Sequence, residues 1–115
     1  RTQLVNGTQV LAVQVDAPNV ETMREMGDWF RDRLGSGVVV LGSVIGDRPS
    51  FLAVVTPDLV RKGLHAGKII KQVAAVVGGG GGGKPEMAQA GGKDKTKLDE
   101  ALRTVSQLVK SGDAA

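Results

Sequence analysis

The chain has 115 residues and 11.9 kDa, a length suited to one domain whose core can form without staples. Hydrophobic residues make up 41% and charged residues 23%, which places it among globular chains and outside disordered ones. With no cysteine, one histidine (His65) and a formal net charge of +3, disulfides, thiolate metal sites and cysteine nucleophiles are excluded, and the molecule is mildly basic.

In chain order, Leu4-Val5-Asn6-Gly7-Thr8-Gln9-Val10-Leu11 reads as a hairpin about an Asn-Gly turn, because both turn residues tolerate positive φ. The second strand runs to Val15 and stops before Asp16-Ala17-Pro18. Asn19 is placed to cap a helix whose apolar positions Val20, Met23, Met26, Phe30 and Leu34 recur at steps of three and four. Glu21, Arg24, Glu25, Arg31 and Asp32 face away from that stripe, and Gly35 and Gly37 end the helix. Val38 to Ile45 is a β-branched run suited to a strand buried on both faces; Gly46 to Pro49 turns the chain, and Ser50 to Val55 returns. These pieces form a right-handed βαβ crossover extended by a hairpin.

Thr56-Pro57-Asp58 signals a helix start, with a hydroxyl cap, proline at the first position and an early acid. Gly63 and Gly67 divide the next segment into a short turn and a longer helix through Ile69, Ile70, Val73, Ala74, Val76 and Val77. Further on, Thr96-Lys97-Leu98-Asp99 reads as a capping box with Asp in place of Glu. It opens a last helix with the stripe Leu98, Ala101, Leu102, Val105, Leu108 and Val109, closed by Gly112. The expected fold class is α/β: a single domain over residues 1–115, with a mixed β-sheet (a βαβ unit plus hairpins) packed by three main helices and a Gly-rich loop at 78–92. Because Arg1 falls in strand-like sequence, the chain is expected to be an excised domain of something longer.

The charge is unevenly spread. Residues 1–60 carry five Lys/Arg against seven Asp/Glu, whereas residues 61–97 carry eight against two. A solvated charge face is one reading; a polyanionic partner, attracted through phosphate pairing and counterion release, is the other. The basic segment contains six consecutive glycines, Gly78 to Gly83, followed by Lys84-Pro85. The run satisfies most of a P-loop, but Pro85 replaces the magnesium-binding hydroxyl and a helix, not a strand, precedes it. Two readings of it stand: a floppy linker, or a surface whose bare backbone approaches a partner closely and whose N–H groups can nest an anion.

The stretch Gly78-Gly79-x-Gly81-Gly82-Gly83-Lys84-Pro85-Glu86-Met87-Ala88-Gln89-Ala90-Gly91-Gly92 resembles the signature GG-x-GGGRPDMAQAGG near the end of bacterial alanyl-tRNA synthetases. Val5-Asn6-Gly7, Val38 to Val44, Val54-Val55 and Ala66-Gly67 fall in matching order, so the resemblance covers essentially the whole chain. It points to the globular C-terminal domain of that family, of the DHH-associated type. Lys84 stands where arginine is usual, Glu86 where aspartate is usual, and Gly80 where a larger residue is common. The charge at 84 is kept, but the guanidinium fork is lost.

The resemblance implies a cytoplasmic, tRNA-binding accessory domain that grips the tRNA elbow and helps bring aminoacylation and editing onto one tRNA. The tRNA would be alanine-specific through the parent, an alanine–tRNA ligase; homodimers form in some members. No cofactor and no membrane is implied. The candidate tRNA-binding residues are Gly79, Gly80, Gly81, Gly82, Gly83, Lys84, Gln89, Lys68 and Lys71. Lys68 and Lys71 share one helix face opposite Ile69, Ile70 and Val73 and read either as solvated charge or as phosphate contacts flanking the glycines. Gln89 reads either as a loop-fixing hydrogen bonder or as an RNA contact. Alternatives to this reading are a dimerisation module and the substrate-binding domain of a DHH phosphoesterase. In the latter, the glycines lead into a histidine that is absent here. One histidine and scattered carboxylates assemble no catalytic set.

Overall fold

A computed structural model describes residues 2–112 and 114–115, so the strand-like reading of Arg1 lies outside the described residues. Asn6 and Gly7 take φ of 52° and 81°, a tight turn that joins β1 (Gln3–Val5) to β2 (Thr8–Gln14) in antiparallel register. Asn19 caps α1 (Val20–Leu34), its Oδ1 accepting from the Thr22 N–H at 2.8 Å. The helix carries the chain over to β3 (Val38–Ile45), which pairs parallel with β2. β4 (Arg48–Val55) returns antiparallel. The chain continues through α2 (Pro57–Arg61), α3 (Ala66–Val76), β5 (Gly80–Gly83), β6 (Met87–Gly91) and α4 (Leu98–Ser111).

The six strands form one mixed sheet in the order β1-β2-β3-β4-β6-β5. Alternation along β3 and β4 divides the core between its faces. Val38, Val40, Phe51, Ala53 and Val55 meet α3 and α4, while Val39, Leu41, Leu52 and Val54 meet α1. Phe51, Ile69 and Ile70 are fully enclosed, each contributing about 1.5–3 kcal/mol of burial. The expected α/β class, single mixed sheet and three main helices are all present, with α2 as a short fourth.

Several local expectations are corrected. Val20 is exposed, so the buried stripe of α1 begins at Met23 and includes Gly27, where a Cβ would lie 2.6 Å from Leu52 Cδ2. The turn after β3 is only Gly46-Asp47, both at positive φ, and Arg48-Pro49 already belong to β4. Thr56 does not cap its own helix: its hydroxyl accepts from the Gly37 N–H and donates to Asp58, tying α2 to the loop after α1. Gly67 is not a breaker but lies inside α3, which starts from His65, whose Nδ1 accepts from the Lys68 N–H. The capping box at Thr96 is replaced by Asp94, which accepts from the Thr96 N–H and opens a 3-10 turn (Lys95–Lys97) leading into α4. The segment expected as a Gly-rich loop at 78–92 is a β-hairpin, β5–β6, at the edge of the sheet.

The Thr56–Asp58 cluster has a consequence for acid stability. Hydrogen bonds from the Ser36 hydroxyl, and then from Thr56, hold the Asp58 carboxyl below the ordinary carboxylate range. A depressed folded-state value gives stability that is present above the unfolded value of about 4 and lost as pH falls through the folded one. Asp58→Asn should therefore melt lower than the parent near neutral pH and lose part of the parent's decline on acidification. Melting from pH 6 to 2.5 measures this. Asp47, paired with Lys95, and Asp94, bonded by Thr96, are also depressed and should preserve a residual acid limb.

Candidate nucleic-acid interface

At the end of α3, Gly78 takes φ 70° and reverses the chain, so β5 runs back beside the helix. Both ends of this return are tied: the Gly79 N–H donates to the Ala74 carbonyl at 2.9 Å, and the Ala66 N–H donates to the Pro85 carbonyl at 2.8 Å. The helix and strand lie close enough that a Cβ on Gly67 would sit 2.8 Å from the Gly83 carbonyl oxygen. Lys84 N–H donates to the Met87 carbonyl and closes the two-residue turn into β6.

Register then assigns faces. Phe51–Ala90–Gly81 and Ala53–Ala88–Gly83 are rows directed toward α3. Ser50–Gly91–Gly80 and Leu52–Gln89–Gly82 are rows directed to the α1 side. There α1 packs on β3 and β4 and stops short of β5. A Cβ at Gly80 or Gly82 would meet nothing within 4 Å, so β5 presents bare backbone to solvent on this side. Beyond β5 the sheet has no further strand among the described residues, leaving its outer edge open as well.

Two open hollows lie along this face. One, of about 450 Å³ at the turn end, is bordered by Arg24, Gly82, Lys84 and Gln89. The other, of about 420 Å³ at the opposite end, is bordered by Arg48, Ser50, Gly80 and Lys93. Among the described residues, no acidic side chain lines either hollow. Among the same residues, none of the four cations Arg24, Arg48, Lys84 and Lys93 has a carboxylate within ion-pair distance. A bare strip with cations outside any ion pair at both ends is a candidate surface for a polyanion approaching the main chain.

The structure thus brings Gly80, Gly81, Gly82, Gly83, Lys84 and Gln89 together on one hairpin, with Gly79 at its entrance. Lys68 and Lys71 are exposed on α3, across the sheet from the bare face, and flank the same edge strand from the other side. Among the described residues, Gln89 bonds no loop backbone; its Oε1 accepts from Arg24 Nη2 at 2.7 Å. Sequence reasoning does not single out Arg24, Arg48 or Lys93. Lys93 carries a usable signal, being part of the basic segment, whereas Arg24 and Arg48 reach the hairpin only through sheet order.

The family model of the DHHA1 domain matches residues 7–111. The chain is 57% identical over 111 residues to an alanine–tRNA ligase of Pelotomaculum thermopropionicum, covering 96% of this chain and 13% of that relative. It is 54% identical over 103 residues to an alanine–tRNA ligase of Dehalococcoides mccartyi, covering 90% of this chain and 12% of that relative. It therefore spans only a small fraction of these curated relatives' length. Among solved structures, it is similar to the C-Ala domain from Aquifex aeolicus alanyl-tRNA synthetase, with TM-score 0.81 and 28% identity over 96% of this chain and 98% of that one.

Proposed function

The chain belongs to the DHHA1 domain family, and from that membership we propose that it serves an alanine–tRNA ligase as a tRNA-binding accessory domain with no catalytic set of its own. In this reading it grips folded tRNA at the outer corner and helps bring aminoacylation and editing onto one tRNA molecule.

The observation that carries the proposal is the bare backbone of Gly80 and Gly82 lying between Arg24 and Lys84 at one end and Arg48 and Lys93 at the other. Folded RNA is read mainly through its shape, phosphates and 2′-hydroxyls, and a side-chain-free strand admits such a surface to main-chain distance. Gly79, Gly81 and Gly83 hold the strand flush against its neighbours, since a Cβ at any of them would lie within 3 Å of β6 or of the residues just after it. Lys84 supplies a point charge at the turn, and Lys68 and Lys71 extend the positive field around the sheet edge. Platforms for base stacking are few: Phe51 is buried, and Trp29, though half exposed, has the Arg33 guanidinium over its ring at 4.2 Å.

The test is titration of the domain with folded tRNA and with the same tRNA unfolded, each at several salt concentrations. The reading expects tighter binding of the folded form, with affinity falling steeply as salt rises. Equal affinity for the two forms would reject recognition of a folded surface, and absence of binding would reject the proposal altogether.

A further inference from the structure

We infer that Arg24, aimed by Gln89, is a phosphodiester ligand on the open face of the hairpin; this rests on the RNA-binding reading above and assigns it a residue that the charge run does not contain. Arg24 lies on the exposed side of α1, yet its guanidinium reaches across to β6, where Nη2 donates to Gln89 Oε1 at 2.7 Å. That single bond leaves the other guanidinium donors available, and among the described residues no carboxylate pairs with them. Gln89 stands in the row Leu52–Gln89–Gly82, between the apolar core and the bare strand, so it sets Arg24 at the rim of the hollow beside Gly82.

The other end of the same amide shows what the arrangement is for. Gln89 Nε2 is enclosed and, among the described residues, has no hydrogen-bond partner. Reversing the amide would turn its NH₂ toward the guanidinium, donor against donor, and Arg24 would be released. The fold keeps an unsatisfied buried donor in order to hold a cation that has no carboxylate partner among the described residues. An orphaned group of this kind weakens folding, so its removal should not cost stability.

The experiment is a double-mutant cycle on folded-tRNA binding and on melting, using Arg24→Ala, Gln89→Met and the pair, at several salt concentrations. Arg24→Ala should weaken binding about tenfold and reduce the log–log salt slope by about one. Gln89→Met should melt at or above the parent, because the orphaned donor is gone, and should bind about threefold worse. The double variant should bind no worse than Arg24→Ala alone, since Gln89 acts through Arg24. Arg24→Lys, which keeps the charge and loses the fork, should retain most of the slope. If the parent binds tRNA and Arg24→Ala leaves affinity and slope unchanged, the assignment is wrong while the RNA reading stands. If Gln89→Met weakens binding as much in the Arg24→Ala background as in the parent, Gln89 does not act by aiming Arg24. If the parent itself does not bind, the RNA reading fails and takes this assignment with it.

Discussion

Gly81→Ala should lower the melting temperature by roughly 10–15 °C, whereas Gly82→Ala, one residue along the same strand, should melt with the parent or slightly above it. The contrast follows from the alternation of β5. At Gly81 a Cβ would lie 2.4 Å from the Gln89 carbonyl oxygen and 2.5 Å from Ala90 Cα, both on β6. These are main-chain atoms held between β4 on one side and the β5 ladder on the other, so they cannot swing away as a side-chain end would. Relief requires β5 to draw back from β6 at this row, an overpacking penalty of about 3 kcal/mol. At Gly82 the Cβ enters open space, and alanine restricts the unfolded chain more than glycine does. Neither residue sits at positive φ, so packing alone decides the difference. If both variants melted like the parent, β5 would be a tolerant linker and its pairing with β6 would be wrong.

The second large effect concerns charge. Replacing Arg48, Lys84 and Lys93 together by glutamine should weaken folded-tRNA binding on the order of a hundredfold near 0.1 M salt and reduce the log–log slope by about 2.7. The Lys68→Gln, Lys71→Gln pair should weaken it by no more than about fivefold, because these residues flank the strand from the α3 side instead of facing the bare surface. All five side chains are exposed and none is in an ion pair among the described residues, so both variants should fold as the parent does. Salt-dependent binding isotherms measure both quantities. A larger loss from the helix pair than from the triple variant would move the RNA to the other side of the sheet.

The parts of this fold that are legible in the sequence are those whose signals are local. An Asn-Gly turn, a three-and-four apolar step after Asn19 and a β-branched run at Val38 each specify their own element, and sheet and crossover come from joining them. The glycine run is not legible as a strand because glycine has no side chain to favour one. β5 exists because α3 and β6 leave room for a backbone and nothing more. Gly67 misleads for the same reason: it serves the contact with Gly83 and not the end of a helix. The helical period places Arg24 correctly, facing away from its own helix's core. The sheet, however, continues past that helix, so a residue outward from α1 lies over β6. A one-dimensional period does not carry that information. The basic segment, by contrast, points to Lys84 directly and contains Lys93 without singling it out, although it also points to Lys68 and Lys71 on the opposite side.

On the proposed reading, RNA rests on the side-chain-free face of the edge strand. The most direct measurement is the affinity of Gly82→Ala for folded tRNA at fixed salt, with melting confirming an unchanged fold. A methyl group there touches no protein atom and alters no charge, so any change in binding reports on what occupies the space above the strand. The expected result is a parent-like melting temperature with affinity reduced about tenfold, since a Cβ would hold the RNA away from the main chain and loosen the surrounding phosphate contacts. Binding indistinguishable from the parent would show that the RNA does not approach this face.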